Sequence, residues 1–86
     1  MPTISIIILT YNREELLLET LQSVFTQSYT DFEIIILDDG STDQTRQRIE
    51  ALGHSAIQYY YTPHLGNLSH LRNLAWTYAK GEFIAF

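Results

Sequence analysis

Short apolar runs rich in β-branched residues alternate with longer amphipathic stretches along the whole chain. The runs are predicted to be strands and cover residues 4–10, 32–38, 57–62 and 82–86. Apolar residues fill nearly all of the first two runs, which is typical of parallel strands covered on both faces. The connections are long enough to contain helices. The order β-α-β-α-β-α-β therefore predicts a Rossmann-like α/β fold with a parallel, right-handed sheet.

The first predicted helix follows strand one. Asn12 is expected to cap it, and Glu15 stands where its side chain could close a capping box. The apolar positions of this helix fall on one stripe that would pack against the sheet, namely Leu17, Leu21, Val24 and Phe25. Residues 27–31 would return the chain to the sheet.

Two further helices are predicted from the signals at their ends. The polar segment 41–44 offers a second capping box, and Gly53 fits the position after the last turn of that helix. The third helix would begin at residues 66–67 and end at Lys80 and Gly81, a cation followed by a C-terminal glycine.

Composition narrows the class of protein. The chain has 86 residues, of which 45% are hydrophobic and 17% charged, as in globular rather than disordered proteins. The net charge of −5 argues against nucleic acid or anionic lipid as a partner, because both need a basic surface. The sequence contains no cysteine, which excludes a disulfide framework and a thiolate metal site.

Residues 1–86 are expected to form one partial domain. The last apolar run has no successor, which suggests a sheet cut through its middle with an open edge that could pair with a second copy. The apolar run near the N-terminus is far shorter than the roughly 20 residues of a membrane span and has no basic stretch before it. We therefore expect neither export nor membrane insertion by this segment.

Candidate functional residues follow strands one and two. In parallel α/β sheets, ligands bind in the crevice beyond the carboxyl ends of the strands. Strand one delivers Thr10, Tyr11 and Asn12 to this crevice, and strand two delivers Asp38, Asp39 and Gly40. A uridine nucleotide fits these groups, because a carboxylate can accept the imide N–H of uracil and a tyrosine ring can stack on the base. Arg72, early in the third helix, could add a cation for a phosphate or a ring carbonyl.

Structural roles for the same residues stay open on the sequence alone. Asp38 or Asp39 could cap the glycine turn that follows, since Asp before Gly is common in turns. Tyr11 could be a packing residue and Arg72 a solvated helix residue. Asn12 could serve only as a helix cap.

Several common sites are excluded because their motifs are missing. No G-x-G-x-x-G follows strand one and no G-x-x-x-x-G-K-[ST] occurs, which rules out a dinucleotide turn and a P-loop. An aspartyl phosphatase would need Asp-x-Asp after its first strand, and no G-x-S-x-G nucleophile turn is present. The histidines lack the spacing of metal ligands and are interpreted as surface or loop residues: His54, His64 and His70.

Four segments, in this order and spacing, resemble the N-terminal part of the inverting family-2 glycosyltransferases, which have a GT-A fold. They are residues 5–13 (SIIILTYNR), 23–29 (SVFTQSY), 33–43 (EIIILDDGSTD), and 71–73 (LRN) leading to 79–86 (AKGEFIAF). The resemblance covers essentially the whole chain and implies a nucleotide-sugar donor, usually linked to UDP. By position it implies nucleotide contacts for six residues, with Asp39 accepting the uracil N–H: Thr10, Tyr11, Asn12, Asp38, Asp39 and Arg72.

The resemblance also implies a metal site and a catalytic base. In the family, Leu-Asp-x-Asp usually follows a strand such as residues 83–86, and its carboxylates bind Mg²⁺ or Mn²⁺ across the diphosphate. A later carboxylate deprotonates the acceptor hydroxyl, and one in-line displacement inverts the anomeric carbon. Residues 1–86 alone are therefore expected to bind no metal and to transfer no sugar. The complete enzyme is expected in the cytoplasm, either free or at the inner face of the membrane.

Two alternatives to the nucleotide-binding part of a glycosyltransferase stay open. The chain could be a nucleotide-binding module without catalysis, or a fragment that pairs its open sheet edge with a protein partner or a second copy. Loss of UDP affinity on Asp39→Ala would support either nucleotide-binding hypothesis, and a change in oligomer size alone would support the third. The sugar and the acceptor, whether glycan, lipid or protein, are not specified by these residues.

Overall fold

The computed structural model describes residues 4–26, 31–64, 66–78 and 83–85. Within them strands and helices alternate in the predicted order: β1 (Ile4–Thr10), α1 (Glu14–Phe25), β2 (Phe32–Asp38), α2 (Thr45–Leu52), β3 (Ile57–Tyr61), α3 (Leu68–Tyr78) and β4 (Phe83–Ala85). This order confirms the predicted α/β class. The predicted end of the third helix at Lys80 and Gly81, and most of the predicted loop 27–31, lie outside the described residues.

The strands of the described part form one parallel sheet in the order β3-β2-β1-β4. Thr10 pairs with Asp38, and Asp38 pairs with Tyr61, so β1, β2 and β3 end at the same edge of the sheet. Residues 83–85 of β4 pair with residues 4–6 of β1. The segments that follow β1, β2 and β3 therefore meet at the carboxyl edge of the sheet, which is where parallel sheets bind ligands.

Two apolar layers hold the helices against the sheet. Side chains alternate between the faces of a strand, and on one face Ile7, Ile35 and Leu37 pack with Leu71 and Ala75 of α3. On the other face the buried residues come from α1, β2 and α2: Leu17, Leu21, Ile34, Ile36 and Ile49. Burying one such side chain contributes about 1.5–3 kcal/mol. The two layers therefore fix the strand ends on which the site is built.

The start of α1 differs from the sequence prediction. Asn12 has a left-handed φ of 50°, and the N-cap residue of α1 is Arg13, whose side chain makes no capping hydrogen bond. Oδ1 of Asn12 instead accepts hydrogen bonds from the backbone N–H groups of Thr42 at 2.7 Å and Asp43 at 3.3 Å. Glu15 forms an ion pair with Arg48 at 2.9 Å. The predicted capping box is wrong because the loops after β1 and β2 lie side by side, and Asn12 bonds across to the second loop.

Candidate functional site

The predicted residues of strands one and two lie together at the carboxyl edge of the sheet. Thr10 and Asp38 are register partners, and the N–H of Asp39 donates a hydrogen bond to the carbonyl oxygen of Thr10 at 2.9 Å. Thr10 and both aspartates are buried, whereas Tyr11 and Asn12 are exposed. The fold thus brings these five residues to one edge of the sheet, where both carboxylates are buried and the side chains of Tyr11 and Asn12 are exposed.

Asp38 is fully buried, and both oxygens of its carboxylate accept hydrogen bonds from other groups of the protein. Oδ1 accepts a hydrogen bond from the N–H of Ser41 at 2.8 Å, and Oδ2 accepts one from the hydroxyl of Tyr59. Burial, followed by the hydrogen bond to Asp38 and the charge of that carboxylate, raises the pKa of Tyr59. Because protein groups donate to both oxygens, the geometry favours the turn-capping interpretation of Asp38 over direct contact with a ligand.

Asp39 lies one residue beyond β2, and its carboxylate is almost fully buried. Oδ2 accepts a hydrogen bond from the N–H of Gly66 at 3.0 Å and lies 3.0 Å from Nδ1 of His64. The loop that follows β3 thus supplies N–H groups to this carboxylate. A carboxylate in such surroundings is suited to accept a further N–H from a ligand or to exchange one N–H for another.

Gly40 allows the loop after β3 to approach the end of β2. Its φ is +78°, and a Cβ at this position would lie 2.6 Å from the backbone nitrogen of His64. Both the conformation and the contact therefore exclude a side chain here. The N–H of Thr62 donates a hydrogen bond to the carbonyl oxygen of Asp38 at 2.9 Å, which fastens the start of the same loop.

Tyr11 stacks on the imidazole of His64, with ring centroids 4.0 Å apart and planes inclined by 19°. Because Nδ1 of this imidazole also contacts Asp39, the tyrosine, the histidine and the carboxylate form one cluster. The sequence interpretation of His64 as an ordinary surface or loop histidine misses this contact. The signal that could have found it is the strand order, since the residue after a third parallel strand must arrive at the same edge.

A cleft of about 440 Å³ lies beside β1, between α1 and α3. Its apolar lining comes from β1 and α1, and its polar lining is Thr10, Arg13, Thr20 and Arg72. Arg72 therefore shares a cleft with Thr10, although Tyr11 and Asp39 lie outside that lining. Arg13 is a second cation of the cleft that sequence reasoning did not single out, although it directly follows Asn12. The two guanidinium groups make this part of an acidic chain locally basic.

Asp43 links the N-termini of α1 and α2. Oδ1 accepts hydrogen bonds from the N–H (3.0 Å) and the hydroxyl (2.6 Å) of Thr45, and Oδ2 accepts one from the N–H of Glu14 at 3.3 Å. Desolvation acts to raise the pKa of Asp43, but the hydrogen bonds from Thr45 and Glu14 together outweigh it, and the pKa lies below its usual value. The second predicted capping box is also wrong in detail, because α2 begins at Thr45 and Asp43 bonds to its first N–H.

The described residues offer no ligand set for a metal ion. Among them, no three or more His, Asp or Glu side chains come close enough to hold one. The Mg²⁺ or Mn²⁺ that the resemblance implies therefore does not fit this part of the chain. Of the helices in the described ranges, none has the length and apolar character that crossing a bilayer requires.

The sequence matches a known family over almost its whole length. The model of the family described as Glycosyl transferase family 2 matches residues 5–86. A curated relative in Escherichia coli, UDP-Glc:alpha-D-GlcNAc-diphosphoundecaprenol beta-1,3-glucosyltransferase WfgD, is 35% identical over 83 residues, which cover 96% of this chain and 33% of the relative. The chain thus spans about a third of the length of the curated relatives it matches.

Solved structures share the fold of this chain. S. aureus TarS 1-349 in complex with UDP has a TM-score of 0.86 at 34% identity, over 98% of this chain and 26% of that protein. The mannosyltransferase PcManGT from Pyrobaculum calidifontis, in complex with GDP-Man and Mn2+, has a TM-score of 0.86 at 28% identity, over 96% of this chain and 26% of that protein. The sheet and helices therefore correspond to the N-terminal part of GT-A glycosyltransferase structures, as the resemblance implied.

Proposed function

The chain belongs to glycosyl transferase family 2, and we propose that it is the nucleotide-binding part of an enzyme that moves a sugar from a nucleotide-sugar donor to an acceptor hydroxyl. The observation that carries the proposal is the cluster of Tyr11 and Asp39 at the carboxyl edge of the sheet, joined by His64. A flat aromatic face and a buried carboxylate are the two groups that recognise a base bearing a ring N–H.

The proposed donor is linked to UDP. Uracil carries one ring N–H that Asp39 can accept and a flat ring that Tyr11 can stack on, while Thr10 and Asn12 border the nucleoside. Asp38 supports the pocket from behind by holding the turn that begins with Ser41. The UDP-Glc in the name of WfgD and the UDP bound to TarS support this choice of base. The GDP-Man bound to PcManGT makes guanine the base to test against it.

Arg13 and Arg72 are proposed to bind the diphosphate. Both line the cleft that begins at Thr10, the last residue of β1. Guanidinium groups bind phosphate oxygens with paired hydrogen bonds, and their charge offsets the negative charge of the leaving group. A donor with its base at Tyr11 and its diphosphate at the arginines would therefore follow the carboxyl edge of β1.

The proposed reaction is one in-line displacement with inversion. The acceptor oxygen bonds to the anomeric carbon, the bond from that carbon to the diphosphate breaks, and the hydroxyl proton passes to a base. The described residues are proposed to bind and orient the donor. No group of metal-ligating side chains is found among them. Metal binding and the catalytic base are assigned to other parts of the complete enzyme, which is why residues 1–86 alone are expected to be inactive.

The proposed acceptor is a lipid-linked sugar, and the proposed location is the cytoplasmic face of the membrane. The name of WfgD specifies a GlcNAc-diphosphoundecaprenol acceptor, and that enzyme is similar to this chain over 83 residues. An acceptor held in the bilayer by its polyprenyl chain brings the reaction to the membrane surface.

A second candidate function is pairing through the open edge of β1. In the described part, β4 pairs with residues 4–6, and residues 7–9 of β1 line the cleft with apolar side chains. A strand from a partner or a second copy could add to such an edge. In this alternative Asp39 has no ligand, and its role is limited to holding the loop after β3.

The experiment that tests the proposal is a calorimetric titration of the purified protein with UDP, compared with Asp39→Ala. Losing a charged acceptor for a buried N–H costs about 1.5–3 kcal/mol, which is roughly ten- to over a hundredfold in affinity. Glu50→Ala is the matched control, since Glu50 is an exposed carboxylate on α2 that pairs only with Arg46 among the described residues. Unchanged UDP affinity in Asp39→Ala would reject the proposed role. A change in oligomer size alone would favour pairing through the edge.

A further inference from the structure

The imidazole of His64 makes two contacts of the kind that the base of a nucleotide would make. Its ring plane stacks on Tyr11 with centroids 4.0 Å apart, and Nδ1 lies 3.0 Å from Oδ2 of Asp39. Nδ1 also lies 3.0 Å from the backbone carbonyl oxygen of Asp39. Because both of these oxygens are acceptors, the hydrogen of the neutral ring must be on Nδ1, which donates it to Asp39.

These contacts satisfy the groups proposed to recognise uracil. A stacked ring already covers the face of Tyr11, and a ring N–H already points to the carboxylate of Asp39. A base and the imidazole cannot make the same two contacts at once. We propose, on the basis of the proposed function, that the imidazole of His64 occupies the position of the base and that an incoming base displaces it.

The backbone of the loop is held while the ring moves. The N–H of Thr62 is bonded to the carbonyl oxygen of Asp38 at 2.9 Å, and the N–H of Gly66 to Asp39 at 3.0 Å. Gly40 packs against the backbone of His64. About half of the His64 side chain is exposed, so rotation about its own side-chain bonds leads the ring into solvent. Displacement is therefore a rotamer change of His64, and the loop stays on the sheet edge.

Displacement of the imidazole lowers the affinity for ligands that carry a base. The apparent affinity is reduced by the fraction of molecules in which the ring has left the base position. A ligand without a base gains nothing from the displacement, because it replaces neither the stack on Tyr11 nor the hydrogen bond to Asp39. Displacement therefore lowers the affinity for nucleosides and nucleotides and leaves the affinity for free phosphates unchanged.

The first test is the affinity of His64→Ala for UDP and for uridine, measured by calorimetry beside the wild-type protein. Removing the competing ring should raise the affinity for both ligands by roughly three- to tenfold. His54→Ala is the matched control, because His54 also stacks on an aromatic ring, that of Phe25 at 4.3 Å, but precedes β3 at the opposite edge of the sheet. This control should bind both ligands with wild-type affinity.

The outcomes separate this inference from the proposed function. Wild-type binding with equal or weaker affinity in His64→Ala overturns the displacement and leaves the UDP proposal standing. Binding by His64→Ala alone supports displacement in its strongest form. If neither protein binds UDP or uridine, the proposed function fails and the displacement fails with it.

The second test uses the wild-type protein and needs no variant to fold. The Cε1–H resonance of His64 carries a ring-current shift from Tyr11, since the two rings are stacked. Uridine should move this resonance toward the position of an unstacked histidine, and pyrophosphate should leave it in place. A resonance that stays in place when uridine saturates the site would overturn the inference.

Discussion

The hydroxyl of Tyr59 in β3 donates a hydrogen bond to Oδ2 of Asp38, the last residue of β2. The other oxygen of the same carboxylate accepts the N–H of Ser41. The buried side chain of Asp38 therefore joins the middle of β3 to the turn that carries Asp39. This relationship gives Asp38 a structural role in the turn, next to Asp39, the carboxylate proposed to bind the base.

Tyr59→Phe should lower stability and leave UDP affinity nearly unchanged. The substitution removes one donor from a buried carboxylate, which costs about 1–3 kcal/mol. The loss of stability is measured as the decrease in the free energy of unfolding in urea. Tyr60→Phe is the control, because its hydroxyl donates to the neutral side chain of Gln58 and a smaller loss is expected. Wild-type stability together with a large loss of UDP affinity would show that Asp38 contacts the nucleotide itself.

Gly40→Ala should destabilise the protein more than Gly53→Ala. Both glycines have positive φ, +78° and +58°, so both substitutions carry the left-handed strain of about 1–2 kcal/mol. A Cβ at Gly40 would also lie 2.6 Å from the backbone nitrogen of His64, whereas a Cβ at Gly53 would meet no atom within 4 Å. The difference between the two unfolding free energies measures this contact. Equal losses would mean that the loop after β3 does not pack on Gly40.

Asp43→Ala should cost about 1 kcal/mol at neutral pH, as the loss of a helix-capping side chain does. The folded-state pKa of Asp43 lies below its usual value of 3.8, so its carboxylate stabilises the fold above that pH. This contribution is lost as the pH falls through the lower folded-state pKa. The difference in unfolding free energy between wild type and variant should therefore shrink as the pH falls below 3.8.

Asp43→Asn provides the control for this titration. Its amide keeps an oxygen that can accept the N–H of Thr45 but cannot carry a charge. Its stability relative to Asp43→Ala should therefore stay constant over the acid range. A wild-type advantage that stays constant with pH would contradict the assignment of the lowered pKa to this helix-linking carboxylate.

Arg72→Ala should weaken UDP binding about tenfold and leave uridine binding unchanged, because hydrogen bonds to charged groups contribute about 1.5–3 kcal/mol and uridine has no phosphate. Raising the salt concentration should reduce the difference. Arg46→Ala is the control, since Arg46 lies on α2 in an exposed pair with Glu50. Equal loss for uridine and UDP would assign Arg72 to the base or to folding.

Local sequence patterns were sufficient to predict the strands and helices and the edge of the sheet that carries the candidate site. The period-two spacing of strands, the period-3.6 spacing of helices and the glycines at helix ends all involve residues that are close in sequence. The predicted third strand at 57–62, for example, differs from the observed Ile57–Tyr61 by one residue. The left-handed Gly53 after α2 was predicted for the same reason. The two capping boxes were wrong because their residues had better partners in another loop, which local spacing does not report.

The sequence by itself determined the order of strands and helices, the α/β class, the family resemblance and the convergence of Thr10, Asp38 and Asp39 at one edge, because these follow from periodicity and from residues adjacent in the chain. Only the tertiary structure decided which protein groups bind each of the two carboxylates. It also decided that the loop after β3 reaches both Tyr11 and Asp39. These contacts join residues more than 20 positions apart, such as Tyr59 with Asp38 at 21, Asn12 with Thr42 at 30 and Tyr11 with His64 at 53. They depend on strand register and loop approach, which no local pattern encodes.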